Sequence, residues 1–387
     1  MDITKLRKDT PGTTKVLHFN NAGAALMPAP VVNAMTDYLD EETLYGGYET
    51  MMSQSSQLMA FYAEAAKMLH CTPGEIAFTD SATTAWQRAF FSIPWQNGDN
   101  IITGNAEYAS NYISLLRLQE LFDIEVRVVP DNIYGETDPK ALEQLIDKNT
   151  RLIAITHMPT SGGLVNPIEE IGRLANKHGV LYLVDACQSV GHCPLDVRTI
   201  GCDFLTGTGR KYLRGPRGTG LLYVRHEIIE KLSPLSLDLY SAQWTGPNTY
   251  KTRKNALKFE NFESNLAAKA GLAAAIRYQN NLGIDKTWKR IQELANLLRK
   301  KLNEIPGLQV TDNGKVLSGI VTFTHKNYSA KDIKVHLDKQ HINVTIVPLA
   351  NSRLHMEKMG MEEVVRASVH YYNTEEEISR FCEVIPY

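Results

Sequence analysis

Leu181-Tyr-Leu-Val-Asp185-Ala-Cys-Gln188 and Asp203-Phe-Leu-Thr-Gly-Thr208-Gly-Arg-Lys211 are two short apolar runs, each ending in polar or glycine-rich sequence. Runs of this length read as buried strands, which puts Asp185 at the mouth of one and Lys211 on the loop after the other. An ionised Asp there can hold a protonated ring nitrogen, and a Lys amine beside it can condense with an aldehyde. Taken singly, both residues have a plainer reading. Asp is common at strand ends, and a Lys in a Gly-rich loop is ordinarily only solvated. The weight therefore falls on what surrounds them.

From about residue 75 to residue 225, β-rich runs alternate with helical periodicity, the pattern of a mainly parallel sheet covered by helices. The spacing predicts strands at 76–79, 100–103, 124–129, 152–157, 180–184 and 220–224, and helices at 81–93, 111–122, 138–146 and 167–178. An Ala-rich helical stretch at 264–279 leads into a charged amphipathic helix at 285–302, which Pro306-Gly307 ends. Beyond it the order is strand 319–324, helix 330–339, strands 342–347 and 364–370, and a last helix from Thr374. The expected organisation is a large α/β domain over 18–265 and a smaller α+β domain built from 1–17 and 266–387.

With 387 residues, 43% apolar content and a net charge of -2, the chain can bury a large core. No basic stripe points to nucleic acid, and no apolar run approaches the roughly 18 residues that span a bilayer. The N-terminus lacks an apolar core followed by a cleavage site, so a cytoplasmic location is expected. The five cysteines have neither Cys-x-x-Cys spacing nor a His at metal-ligand spacing, so no metal is expected.

Three further stretches converge on the same sheet edge. Thr79-Asp-Ser81-Ala82-Thr83-Thr84 passes from a strand into a helix, where free backbone N–H groups and hydroxyls form an anion site. Thr103-Gly-Asn-Ala-Glu107-Tyr108 puts an aromatic ring just past another strand, suited to stacking on a flat ligand. His157-Met-Pro-Thr160-Ser-Gly-Gly-Leu-Val-Asn166-Pro167 brings polar groups to the carboxyl end of a third. His157 itself reads as a structural hydrogen-bonding residue and stays a secondary candidate.

This ordered set resembles the fold-type I pyridoxal phosphate enzymes of aminotransferase class V, which include cysteine desulfurases, selenocysteine lyases and isopenicillin epimerase-like proteins. The similarity runs from His18-Phe-Asn20-Asn21-Ala-Gly23 to Val365-Arg366-Ala-Ser-Val-His370-Tyr-Tyr-Asn373. It implies that Lys211 condenses with the cofactor aldehyde, Asp185 pairs with the pyridine nitrogen and Gln188 bonds the phenolic oxygen. Ala82, Thr83, Thr208 and Arg210 would hold the phosphate, with Tyr108 and Thr160 beside the ring. Arg366 matches the arginine that clamps the substrate carboxylate, with Asn21 and Arg353 as further substrate-binding candidates. The family also implies a homodimer, with Tyr45-Gly-Gly-Tyr48 contributing from the partner.

Several positions depart from the desulfurase pattern. Arg210 replaces the His that usually precedes the lysine, and an arginine can hold phosphate bidentately. Phe262-Glu263 stands where many relatives carry a Gly-Thr pair that reaches the neighbouring subunit's phosphate. Thr160 replaces a common Asn, in a stretch similar to the epimerase-like and lyase-like branches. The desulfurase's mobile cysteine is missing from the matching stretch, Ile342 to Gly360, and Cys382 lies in the final helix. The expectation is a carbon–sulfur lyase that removes the α-proton of a cysteine-derived amino acid with Lys211 and eliminates the sulfur. An aminotransferase, an epimerase and a cysteine desulfurase or selenocysteine lyase are the alternatives. A non-enzymatic regulator or sugar-modifying relative would lack Lys211 or Arg366, and both are present.

Overall fold

Strict alternation along each central strand decides the architecture. Tyr182 and Val184 face one apolar core while Leu183 faces another, and Ile153 and Ile155 alternate with Leu152 and Ala154 in the same way. A sheet that is apolar on both faces must be covered by helices on both, as parallel sheets are. The computed structural model describes residues 1–386; Tyr387, the last residue of the expected 266–387 unit, lies outside them.

The large sheet has seven strands in the order Ile76–Thr79, Gly220–Val224, Phe204–Thr208, Leu181–Asp185, Thr150–Thr156, Asn100–Gly104 and Glu125–Val129. Gly220–Val224 runs antiparallel to both neighbours, and the other pairings are parallel. The expected α/β class with a mainly parallel sheet is what the chain forms. Thr79, Gly104, Thr156, Asp185 and Thr208 therefore end at one edge, and the loops that follow them line one cleft.

The smaller sheet is antiparallel, in the order Leu308–Val310, Ile320–His325, Glu363–Ser368 and Thr345–Pro348. Helices Ile284–Asn303, Ala330–Asp338 and Glu375–Glu383 cover it around a core that includes Leu298, Phe323, Ile333 and Phe381. The N-terminal segment joins this unit: Leu17–His18 pairs with Ile342–Asn343, and Phe19 and Ala22 sit in the same core. It thus extends past the expected limit at residue 17.

The other expected boundary, between 265 and 266, also moves. Helix Leu266–Leu282 packs on helices Ala29–Tyr45 and Ser55–Leu69, and its Leu272, Ala273 and Ile276 belong to the core beneath the large sheet. Its small residues are what let it dock there. A Cβ at Gly271 would lie 2.6 Å from Met35 Cγ, so the helices approach too closely for a larger side chain. This packing would put the division at Gly283 instead. No described helix is long and apolar enough to cross a membrane.

Candidate active site

The cleft at the carboxyl edge of the large sheet encloses about 170 Å³. One end is built by helix Ala82–Phe90. Ser81 Oγ caps it by accepting the Thr84 N–H at 3.0 Å, and the first amides, at Ala82 and Thr83, have no partner within the helix. Gly220 brings the neighbouring strand hard against this turn: a Cβ there would lie 2.7 Å from the Ser81 carbonyl carbon and 2.8 Å from the Gly207 oxygen. Thr208 and Arg210 line the same end. The Thr208 hydroxyl donates to the Thr219 carbonyl at 3.3 Å, and the Arg210 guanidinium donates to the Gly23 carbonyl, tying the N-terminal segment to the cleft.

At the opposite end stands Asp185. Its Oδ1 accepts the Cys187 N–H at 2.8 Å and its Oδ2 accepts the Asn111 amide at 2.7 Å. Burial raises its carboxyl above the ordinary carboxylate range, while those two donors and the nearby Lys211 charge pull the other way. Such a group is short of a cation. Lys211 is buried between the two ends, with Nζ 3.2 Å from Cys187 Sγ. Burial lowers its ammonium; Cys187 opposes this and the Arg210 and Arg366 charges add to it, so the net shift is toward the neutral, nucleophilic amine. Tyr108 and Gln188 complete the walls. Gln188 Nε2 donates to the Ala22 carbonyl at 3.2 Å, whereas its Oε1 is buried with no partner.

Arg366, on strand Glu363–Ser368, is buried beside the cleft, and its Nη1 donates to the Thr160 carbonyl at 3.2 Å and to the Thr160 hydroxyl. Its Nε is buried without a partner. Burial pushes its guanidinium down to about 10. A buried arginine with an unfilled donor can take an anion.

Residues 17–381 match the aminotransferase class-V family. The chain belongs to that family. It is 33% identical to a probable cysteine desulfurase of Methanothermobacter thermautotrophicus, over all of this chain and 98% of that one. Among solved structures it is similar to the apo cysteine desulfurase of Thermococcus onnurineus NA1, with a TM-score of 0.91 and 27% identity over 98% of this chain and 96% of that one. The fold is also that of a cystine C–S lyase crystallised with its product cysteine persulfide, at a TM-score of 0.87 and 23% identity over 97% and 100% of the two chains. One backbone thus carries two differently named activities, and the side chains must decide between them.

As a class-V member, the chain is a pyridoxal phosphate-dependent enzyme. The donor set fits that group: an anion cradle at Ala82, Thr83 and Arg210, an amine in the middle at Lys211, and a cation-seeking carboxylate at Asp185. All nine positions expected around the cofactor, which add Tyr108, Thr160, Gln188 and Thr208, line the cleft.

Two of the expected substrate residues do not reach it. Arg353 is exposed on helix Arg353–Lys358 and pairs with Glu357 at 2.6 Å, the ordinary fate of an Arg with a Glu four residues on. The Asn21 amide is committed to the frame, donating to the Ser368 carbonyl at 2.7 Å and accepting from the Tyr372 hydroxyl. His157 is a buried residue held neutral, its imidazole pushed down to about 3 by burial, and it faces a different groove. The sequence reading missed Cys187, Asp80, Met158 and Arg217 as lining residues. Cys187 was findable, because it lies two residues past Asp185 at the same strand end.

Proposed function

We propose that this enzyme cleaves the carbon–sulfur bond of a cysteine-derived amino acid by β-elimination, with Lys211 as the proton carrier. The observation that carries this is the buried, neutral-leaning Lys211 amine set between a cation-seeking Asp185 and a partly unfilled Arg366. Arg366 binds the substrate carboxylate through its free guanidinium donors and fixes the α-carbon over Lys211. Pyridoxal phosphate, when bound, draws electrons from that α-carbon. Lys211 Nζ accepts the α-proton, the Cβ–S bond breaks with its electron pair on sulfur, and the sulfur leaves as thiol or persulfide. Water then releases the remainder as pyruvate and ammonia. Asp185 keeps the ring nitrogen protonated throughout. Relatives named cysteine desulfurase support a cysteine-derived substrate.

Cys187 favours a second reading, sulfur transfer to the enzyme, since its thiol touches Lys211. Burial raises that thiol, which keeps it in the poorly nucleophilic protonated form. Purified protein incubated with cystine and S-substituted cysteines is expected to yield pyruvate, and Cys187→Ala to yield it equally. A persulfide on Cys187 with no pyruvate, found by mass spectrometry, would establish transfer instead.

A homodimer is part of the proposal. Gly47 and Tyr48, in the segment expected to contribute across subunits, share a groove with Asn265 and with Phe262 and Glu263, which stand where many relatives carry the Gly-Thr pair. Leu44, Tyr45 and Met52 stand exposed nearby, an apolar surface suited to a second copy. The five free thiols fit the reducing cytoplasm.

A further inference from the structure

Glu107 is a second buried carboxylate in the wall behind Asp185, and the chemistry described above does not use it. It is 5% exposed. Its Oε1 accepts from Thr156 Oγ1 at 2.5 Å, Asn111 Nδ2 at 2.8 Å and the Tyr108 N–H at 2.9 Å, and its Oε2 accepts from Thr103 Oγ1 at 3.1 Å. Four donors converge on it, and no Lys or Arg is among them. Asn111 Nδ2 gives its other hydrogen to Asp185 Oδ2 at 2.7 Å, so one amide nitrogen ties the two carboxylates together.

Burial and the Asp185 charge push the Glu107 carboxyl up to about 7. Of the groups around it, Asp185 acts on Glu107 directly, Lys211 acts on Asp185, and His157, next to Thr156, is kept neutral by burial. Two linked carboxylates in a dry wall carry their full charge only when a cation sits against one of them. The protonated ring nitrogen of the cofactor is such a cation. Burying a second carboxylate there is otherwise costly, since a neutral amide could occupy the same space.

We propose that Glu107 is a positioning residue which, through Asn111, orients the Asp185 carboxylate and adds the negative charge that holds the proton on the ring nitrogen. This rests on the pyridoxal phosphate reading of the site. Glu107→Gln keeps the shape and removes the charge, so it separates charge from packing.

The test is a pH titration of wild-type and Glu107→Gln holoenzymes carrying cofactor labelled with nitrogen-15 in the ring, followed by NMR. The midpoint for loss of the ring proton is expected to fall by about one pH unit or more in Glu107→Gln, about tenfold weaker proton binding. Asn111→Ala, which leaves Glu107 in place but cuts the bridge, is expected to shift it less, in the same direction. It carries the test alone if Glu107→Gln does not retain cofactor. Superimposed titration curves for wild type and the tested variant overturn the proposal. A wild-type protein that takes up no pyridoxal phosphate overturns the cofactor reading instead.

Discussion

Two buried charged clusters in this molecule differ in how completely they are satisfied. In the small domain, Arg299 donates to Asp312 at 2.8 Å and to the Ser318 and Ile320 carbonyls at 2.8 and 2.7 Å. Asp312 Oδ1 accepts in turn from the Gly163 and Thr322 amides, both at 3.0 Å, and from the Thr322 hydroxyl at 2.8 Å. In and beside the cleft, Gln188 leaves Oε1 unpaired, Arg366 leaves Nε unpaired, and Asp185 and Lys211 are both shifted away from their charged forms. Full pairing marks a cluster that holds the fold. Under the proposed function, incomplete pairing marks one that waits for a ligand.

The largest effect expected from this contrast is at the ligand-dependent cluster. Lys211→Ala should lower turnover by about 10⁴-fold or more and abolish the visible absorption of covalently held cofactor, with the melting temperature of cofactor-free protein little changed. Turnover near wild type in that variant would break the assignment. Next comes Arg299→Ala, which leaves the buried Asp312 uncompensated. It should cost about 3–5 kcal/mol in denaturant unfolding, while any protein that folds still binds cofactor. If its main effect were on cofactor affinity, the division between the clusters would fail.

Arg366→Ala sharpens the comparison from the other side. It should reduce kcat/KM by roughly 10- to 100-fold for every amino acid tested, with cofactor absorption retained, because one charge-assisted carboxylate contact is lost. Stability should fall by only about 1.5–3 kcal/mol, the cost of losing the hydrogen bonds to Thr160. The smallest effect is at Arg353→Ala. Its exposed pair with Glu357 predicts a change within about 0.5 kcal/mol in stability and no change in KM.

These two arginines also show how far the sequence could be read. Arg366 was singled out because it lies on a strand in a motif whose order matched the family, and the structure buries it beside the cleft, bonded to Thr160. Arg353 was misplaced because its position near the expected clamp said nothing of which way its helix faces, although Glu357 four residues on was a readable sign of a surface pair. Five of the seven sheet strands were legible to within two residues of their observed ends from apolar runs and turns, as was Gly220–Val224, while Phe204–Thr208 was read only as the run leading to Lys211. Helix Leu266–Leu282, expected in the small domain, packs on helices of the large one, and its small residues, buried all round, carry no amphipathic stripe to show what they face. Glu107 stood in a quoted motif, yet its link through Asn111, four residues on in helix Ala109–Leu121, reaches Asp185 at the end of a different strand and exists only once the sheet is assembled.

The bond from Arg366 to Thr160 joins a strand of the small domain to a loop of the large one. A long, flexible side chain free in solvent must be immobilised each time it meets a substrate, at a cost of about 0.5–1.5 kcal/mol. Here Thr160 restrains it during folding. In its proposed role, Arg366 would therefore receive a molecule as small as cysteine, which offers few other contacts, without first having to be ordered.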